Sequence, residues 1–266
     1  MVDPMKFELN NETVYAYTNS KAYDPALPTV IFVHGSGMDH TVWTLASRHF
    51  ARHKNNVLAL DLPGHGRSGG DPLASVEAMA DWVHNIKNKL GVATAKVVGH
   101  SLGSLIALEL AAKYPDRVDA IALVGTTAPM PVSDAILNAA EANDHAAFDM
   151  LTQWGFSKRH QFGGNRNSGM WMIGNTLRLY ERSKPGVLFH DMAACNNYLD
   201  GLTKASDIRC PVLMVLGAED RLTPVRSTGS LQNALPHADI CVLEGAGHTI
   251  MVEAPNAMLD ALHRIL

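Results

Sequence analysis

Cysteine is scarce in this chain: Cys195, Cys210 and Cys241 are an odd number with no close pair. That argues against a disulfide framework or a zinc knuckle and fits a reducing compartment. No apolar stretch is long enough to span a bilayer. Residues 1–10 carry charges and lack the apolar run of a secretory signal. An excess of basic charge is missing too. The net charge of −4 gives no electrostatic case for nucleic acid or an anionic membrane surface. The thirteen histidines are scattered, which leaves a metal site without support. The expectation is a soluble, cytoplasmic protein with no nucleic-acid or membrane partner and no cofactor. A homo-oligomer is compatible with all of this.

What is present is an ordinary globular composition, 47% hydrophobic and 18% charged over 266 residues, enough for one domain with or without an insertion. Met5–Leu9 and Thr13–Tyr17 read as two strands joined at Asn10-Asn11, a hairpin signal. Thr29–Val33 is a continuous apolar run, the pattern of a strand covered on both faces. Val57–Leu60, Ala95–Val98 and Val118–Val124 read as the next strands, separated by helical patterns near Trp43–His53, Leu73–Leu90 and the segment after Ser101. Such alternation calls for a parallel sheet wound with helices on both faces. It resumes with strands at Pro211–Leu216 and Ile240–Leu243, making eight, and helices at Val225–Leu235 and Ile250–Leu266.

Between residues 128 and 206 the alternation stops. Helical patterns near Ser133–Ala142, His145–Trp154, Gly169–Arg182 and Gly186–Leu199 predict an inserted cap over the strands' C-terminal edge. Residues 1–127 and 207–266 then form the core domain. Most aromatics of the insertion serve to join cap to core. Trp154, Phe156, Trp171 and Met172 are the candidates for lining a pocket of a few hundred Å3, sized for small or medium substrates.

One turn stands out: Gly99-His100-Ser101-Leu102-Gly103, between an apolar strand and a helix apolar on nearly every face. The pentapeptide alone is a weak signal. In strand-turn-helix context it reads as a nucleophile elbow, with serine on a sharp turn and the first free helix N–H groups beside it. Acyl transfer by serine needs a base and a carboxylate that orients it, and open α/β sheets collect such groups on loops after their strands. His34, His65, His100 and His248 are placed there. His100 adjoins the serine but points elsewhere, and His34 and His65 sit in glycine loops where a structural role is as reasonable as a catalytic one. His248 follows the last strand between glycines and is the favoured base. Asp220, after the penultimate strand, is the favoured acid, with Glu219 as neighbouring rival and Asp61 more suited to supporting its loop. The strand ending at Val124 leads into Gly125-Thr126-Thr127, without a carboxylate.

The order Ser101…Asp220…His248 is that of α/β-hydrolases. His34-Gly35-Ser36-Gly37, Asp61-Leu62-Pro63-Gly64-His65-Gly66-Arg67-Ser68, the elbow, Gly217…Asp220…Pro224 and Gly247-His248 together resemble the capped esterase and lactonase-like branch of that superfamily, over nearly the full length. The resemblance implies the α/β-hydrolase fold and an oxyanion hole made by the backbone N–H groups of Ser36 and Leu102. It also implies a cofactor-free serine hydrolase acting on carboxylic esters or lactones. Serine in place of aspartate at the elbow disfavours haloalkane dehalogenase and epoxide hydrolase chemistry. The same triad serves carbon–carbon (diketone) hydrolysis, amide hydrolysis and peracid formation, and some relatives are slow-turnover ligand receptors.

Overall fold

A computed structural model describes residues 5–19, 21–164 and 170–266. Its strands are β1 (Met5–Leu9), β2 (Glu12–Tyr17), β3 (Thr29–Val33), β4 (Asn56–Leu60), β5 (Ala95–His100), β6 (Val118–Val124), β7 (Val212–Gly217) and β8 (Asp239–Leu243). They form one eight-stranded sheet in the order β1-β2-β4-β3-β5-β6-β7-β8. β1 and β2 are an antiparallel hairpin, β2 meets β4 antiparallel, and every other pairing is parallel. The hairpin turn rests on Asn10 and Asn11 at φ 53° and 65°, a left-handed conformation that asparagine tolerates.

The continuous apolar runs have a direct cause. Alternate residues of each central strand enter different cores: Ile31, Val33, Val97, Ile121 and Leu123 on one face, Val30, Phe32, Val98, Ala122 and Val124 on the other. The first face is covered by α2 (Val76–Leu90) and α3 (Leu102–Lys113), the second by α1 (Thr44–Arg52) and the C-terminal helices. α3 is buried from Leu102 through Ala111 because it is wedged between sheet, α2 and a later helix. Even Glu109 is buried there, accepting a hydrogen bond from the Tyr198 hydroxyl at 2.8 Å. Shortening one of the buried leucines to alanine costs about 2–5 kcal/mol.

The expected closing helix is two pieces, α11 (Ile250–Glu253) and α12 (Pro255–Leu262). Pro255 has no N–H to continue the first helix, but its fixed φ suits the first position of the next. The segment after Val225 is likewise a 3-10 turn followed by the short α10 (Gly229–Ala234).

Between β6 and β7 lie α4 (Asp134–Glu141), α5 (Ala146–Gly155), α6 (Lys158–Gln161), α7 (Met172–Glu181), α8 (Val187–Asn197) and α9 (Gly201–Asp207). The expected helix start at Gly169 lies outside the described residues. α4, α5, α7 and α8 share a small core of their own, with Ile136, Leu151, Leu179 and Met192, resting on Met38 of the loop after β3. α9, which the hydrophobic pattern did not announce, packs instead on α3 and α10, so the last turns of the insertion join the helix layer of the sheet.

Candidate active site

The order of strands reverses beside β3: the chain steps from β3 to β4 on one side and then to β5 on the other. That switch point opens a crevice at the strands' C-terminal ends. Ser36 follows β3 there, Ser101 follows β5, Asp220 follows β7 and His248 follows β8.

Ser101 sits at φ 53°, ψ −118°, a backbone state that side chains rarely adopt. The surroundings enforce it. A Cβ at Gly99 would lie 1.9 Å from the Gly103 carbonyl oxygen, and one at Gly103 would lie 2.3 Å from that of Val33. Strand, turn and helix therefore touch backbone to backbone, which only glycine permits. The turn is pinned by Ser101 N–H donating to Val124 O at 2.9 Å, and by the Ser104 hydroxyl donating to Ser101 O.

Asp220 and His248 meet directly: His248 Nδ1 donates to Asp220 Oδ2 at 2.8 Å, both residues being buried. The other carboxylate oxygen, Oδ1, accepts the N–H groups of Leu222 and Thr223, each at 2.8 Å, and the Thr223 hydroxyl donates to Oδ2 at 2.7 Å. Burial alone would raise the Asp220 pKa. The His248 charge and the hydrogen bonds from His248 and Thr223 outweigh it and hold the carboxyl at about 2. Glu219 is exposed and accepts a hydrogen bond from the Lys158 N–H. Thr223 escaped the sequence reading, although Asp-x-x-Thr is the signature of an Asx turn.

The His248 loop is fastened from two sides. His248 N–H donates to Gly155 O at 2.7 Å, and buried Glu253 accepts from Gly247 N–H at 3.0 Å and Ser157 N–H at 2.9 Å. His100 points away from the serine, as expected, and its Nε2 donates to the His248 carbonyl at 3.0 Å. Burial and the nearby His248 lower its pKa to about 3, so it is neutral.

Ser101 and His248 line one cavity of about 210 Å3, together with Ser36. Among the described residues no hydrogen bond joins the Ser101 hydroxyl to the imidazole, and none occupies His248 Nε2. The apolar walls include Ile136, Leu151, Trp154 and Met192 from the inserted helices. Of the four bulky residues expected to line the pocket, only Trp154 does so. Phe156 is wholly buried elsewhere, Met172 is buried in the insertion, and Trp171 is 66% exposed with its ring against Gly174. Bulk alone does not say which face of a helix a side chain occupies.

His34 and His65 serve the loops beneath. His34 Nδ1 donates to Gly35 O at 2.8 Å and its Nε2 accepts the Leu62 N–H at 3.1 Å, which makes it neutral. Burial, then the neighbouring His65, push its pKa down to about 4. Asp61 accepts from His40 Nδ1 and from the His40 and Arg67 N–H groups. Asp39, His40 and Asp61 bring three potential ligand atoms within 4.8 Å, but Asp39 is already committed to Thr41 and Arg182. Sequence reasoning also missed Asp191. This α8 carboxylate is wholly buried and accepts from Gly37 N–H at 2.7 Å and His65 Nε2 at 2.9 Å, joining the insertion to the loop that carries Ser36.

Residues 28–170 match the family model of the alpha/beta hydrolase fold, more than half of the chain. The protein is a member of the α/β-hydrolase family. Residues 195–264 match a second model, described as TAP-like protein. This α/β hydrolase is 29% identical over 248 residues to a pimeloyl-[acyl-carrier protein] methyl ester esterase of Chromobacterium violaceum, covering 88% of this chain and 92% of that one. It is 25% identical over 260 residues to an (E)-2-((N-methylformamido)methylene)succinate hydrolase of Acinetobacter baylyi, covering 95% and 94% respectively. Among solved structures, a thermophilic esterase superposes with a TM-score of 0.80 at 25% identity, covering 99% of this chain and 97% of that one. No helix among the described residues is long and apolar enough to cross a membrane.

Proposed function

We propose that this α/β hydrolase cleaves small to medium carboxylic esters or lactones through an acyl-enzyme on Ser101. The observation that carries the reading is the Asp220–His248 hydrogen bond ending in a cavity that Ser101 also lines. The esterase relatives support the reaction class.

His248 Nε2 takes the hydroxyl proton as Ser101 Oγ attacks the carbonyl carbon, then returns it to the leaving alcohol. Asp220 keeps the imidazole in the tautomer that carries its proton on Nδ1 and stabilises the imidazolium that forms. The N–H groups of Ser36 and Leu102 receive the oxyanion, each contributing about 3–4 kcal/mol of transition-state stabilisation. Water attacks the acyl-enzyme by the same route and frees the acid. The inserted helices act as a cap: they supply the apolar walls and limit substrate size.

A fluorophosphonate probe tests the assignment. It should label the protein once, on Ser101, and Ser101→Ala should fold with wild-type stability, stay unlabelled and lose ester turnover. Labelling that persists in the alanine variant contradicts it. Turnover should run to many product molecules per chain, on the order of 1–1000 per second for a good substrate. A halt after one equivalent would point to a receptor instead.

A further inference from the structure

Arg221 lines the cavity above Ser101 and also a second cavity of about 370 Å3, whose other walls are Trp154, Asp220, Pro224 and Arg226. The two spaces adjoin at Trp154 and Arg221, which line both. Both arginines are exposed, and among the described residues neither has a hydrogen bond or an ion pair. Some other arginines are engaged: Arg117 holds Ala93 O, Arg182 meets Asp39 and Arg264 meets Asp239. Arg48 and Arg52 are exposed without a partner among the described residues, but they line neither cavity. General basicity is no explanation, since the chain is net negative.

Among the described residues neither nearby carboxylate forms an ion pair with Arg221 or Arg226, although Asp220 lines the same cavity. Asp220 is buried and bound to His248, Leu222 and Thr223, while Glu219 accepts the Lys158 N–H. Arg221 and Arg226 both line the second cavity, so an anion seated there would meet two guanidinium groups. A carboxylate is the smallest oxyanion that a guanidinium fork grips through two hydrogen bonds.

We infer that Arg221 and Arg226 form a carboxylate subsite and that the preferred ester carries a free carboxylate beyond the scissile bond. The apolar cavity takes the hydrocarbon next to the reacting carbonyl, Trp154 walls the passage, and the arginines hold the charged end. This inference rests on the serine hydrolase reading.

Matched esters test it. Mono-p-nitrophenyl glutarate is compared with p-nitrophenyl valerate for charge on the acyl side. The valerate ester of 4-hydroxybenzoate is compared with phenyl valerate for charge on the alcohol side. On one of these arms the wild type should favour the anionic ester, and the preference should weaken as salt is added. Arg221→Gln should lower the anionic-to-neutral ratio of kcat/KM about ten- to a hundred-fold. Arg226→Gln should lower it by a smaller factor, and Arg221→Lys should restore part of it as a point charge without the fork. A ratio at or below one in the wild type on both arms, or a ratio that neither glutamine variant moves, overturns the subsite while leaving the hydrolase reading intact. If none of the four esters is hydrolysed, the hydrolase reading fails and the subsite with it.

Discussion

His248 and His65 each meet a buried carboxylate, at 2.8 Å and 2.9 Å, yet their surroundings differ at the second ring nitrogen. Among the described residues nothing hydrogen-bonds His248 Nε2, and His248 lines the same cavity as Ser101. His65 has acceptors on both sides, Asp191 Oδ2 at Nε2 and Pro63 O at 3.0 Å from Nδ1. A ring whose two nitrogens both face acceptors can donate to both only as the imidazolium, so this setting favours the charged form. Burial by itself would lower the His65 pKa, but the Asp191 charge and hydrogen bonds outweigh it and the net shift is upward. One pair leaves a ring nitrogen facing the cavity; the other has both ring nitrogens engaged and holds Asp191, which also accepts from Gly37 N–H. Geometry around the ring, more than burial or the partner carboxylate, distinguishes the proposed catalytic histidine from His65.

The largest effects should separate the pairs by what is lost. His248→Gln should lower kcat by about four orders of magnitude or more, with a smaller loss of stability than at the His65–Asp191 pair, because Asp220 keeps its hydrogen bonds from Leu222 and Thr223. Asp220→Asn should cost about 10⁴-fold, since the wrong imidazole tautomer results, whereas Glu219→Gln should cost a small factor. Steady-state kinetics beside thermal unfolding gives both readouts, and the comparison breaks if Glu219→Gln proves the more damaging.

Next in size is the His65–Asp191 pair. His65→Gln or Asp191→Asn leaves a buried group without its partner, which costs about 3–5 kcal/mol of stability. Denaturant unfolding should show the loss in both single variants. A double variant no worse than either single one would show that they act as a pair.

The pH dependence of stability follows from the same contrast. His34 and His100 have pKa values lowered to about 4 and about 3, so in the fold they stay neutral where the unfolded chain takes up protons. The unfolded state binds more protons below about pH 6.5, so stability should fall as pH drops, by about 2 kcal/mol between pH 7 and 5.5 for the two together. His65 has the opposite sign. Its raised pKa gives stability that is fully present below about pH 6.5 and lost as pH rises through the folded value. Chemical denaturation across pH 5–9 should find a maximum near neutrality, and His65→Gln should flatten the alkaline side alone.

The smallest effect concerns the cavity that His248 faces and His65 does not. Each buried methylene contributes about 0.8 kcal/mol, so p-nitrophenyl esters should improve by about fourfold per carbon at first. Activity should decline past about eight carbons, where overpacking costs about 1–3 kcal/mol. Undiminished activity on sixteen-carbon esters would mean that the inserted helices open as a lipase lid.

The sheet was legible because strands such as Thr29–Val33 and the stretch Ala120–Val124 of β6 are buried on both faces and read as apolar runs. The closing helix was misread at Pro255, whose disruption of one helix doubles as the start of another. Ser101, Asp220 and His248 stand out as candidates in the sequence because each sits after a strand, in a turn marked by glycine or Asx chemistry. The wall of the cavity could not. Trp154 faces it while Phe156, two residues on, is buried beyond it, and that depends on how α5 docks. Asp191 did leave a trace, a carboxylate three residues after Leu188 and four before Cys195 on the buried stripe of α8. Its partners, His65 and Gly37, are more than a hundred residues away in sequence, and nothing local names them.

The most direct test is a pre-steady-state reaction with p-nitrophenyl butyrate, quenched in acid and read by mass spectrometry of the protein and its peptides. The account predicts a burst of up to one p-nitrophenol per chain, with the butyryl group on the peptide containing Ser101 and absent in Ser101→Ala. Cys195 also lines the cavity, but burial pushes its thiol up to about 12, leaving it protonated and inert. A butyryl group on Cys195, or turnover with no acyl group on Ser101, would contradict the account.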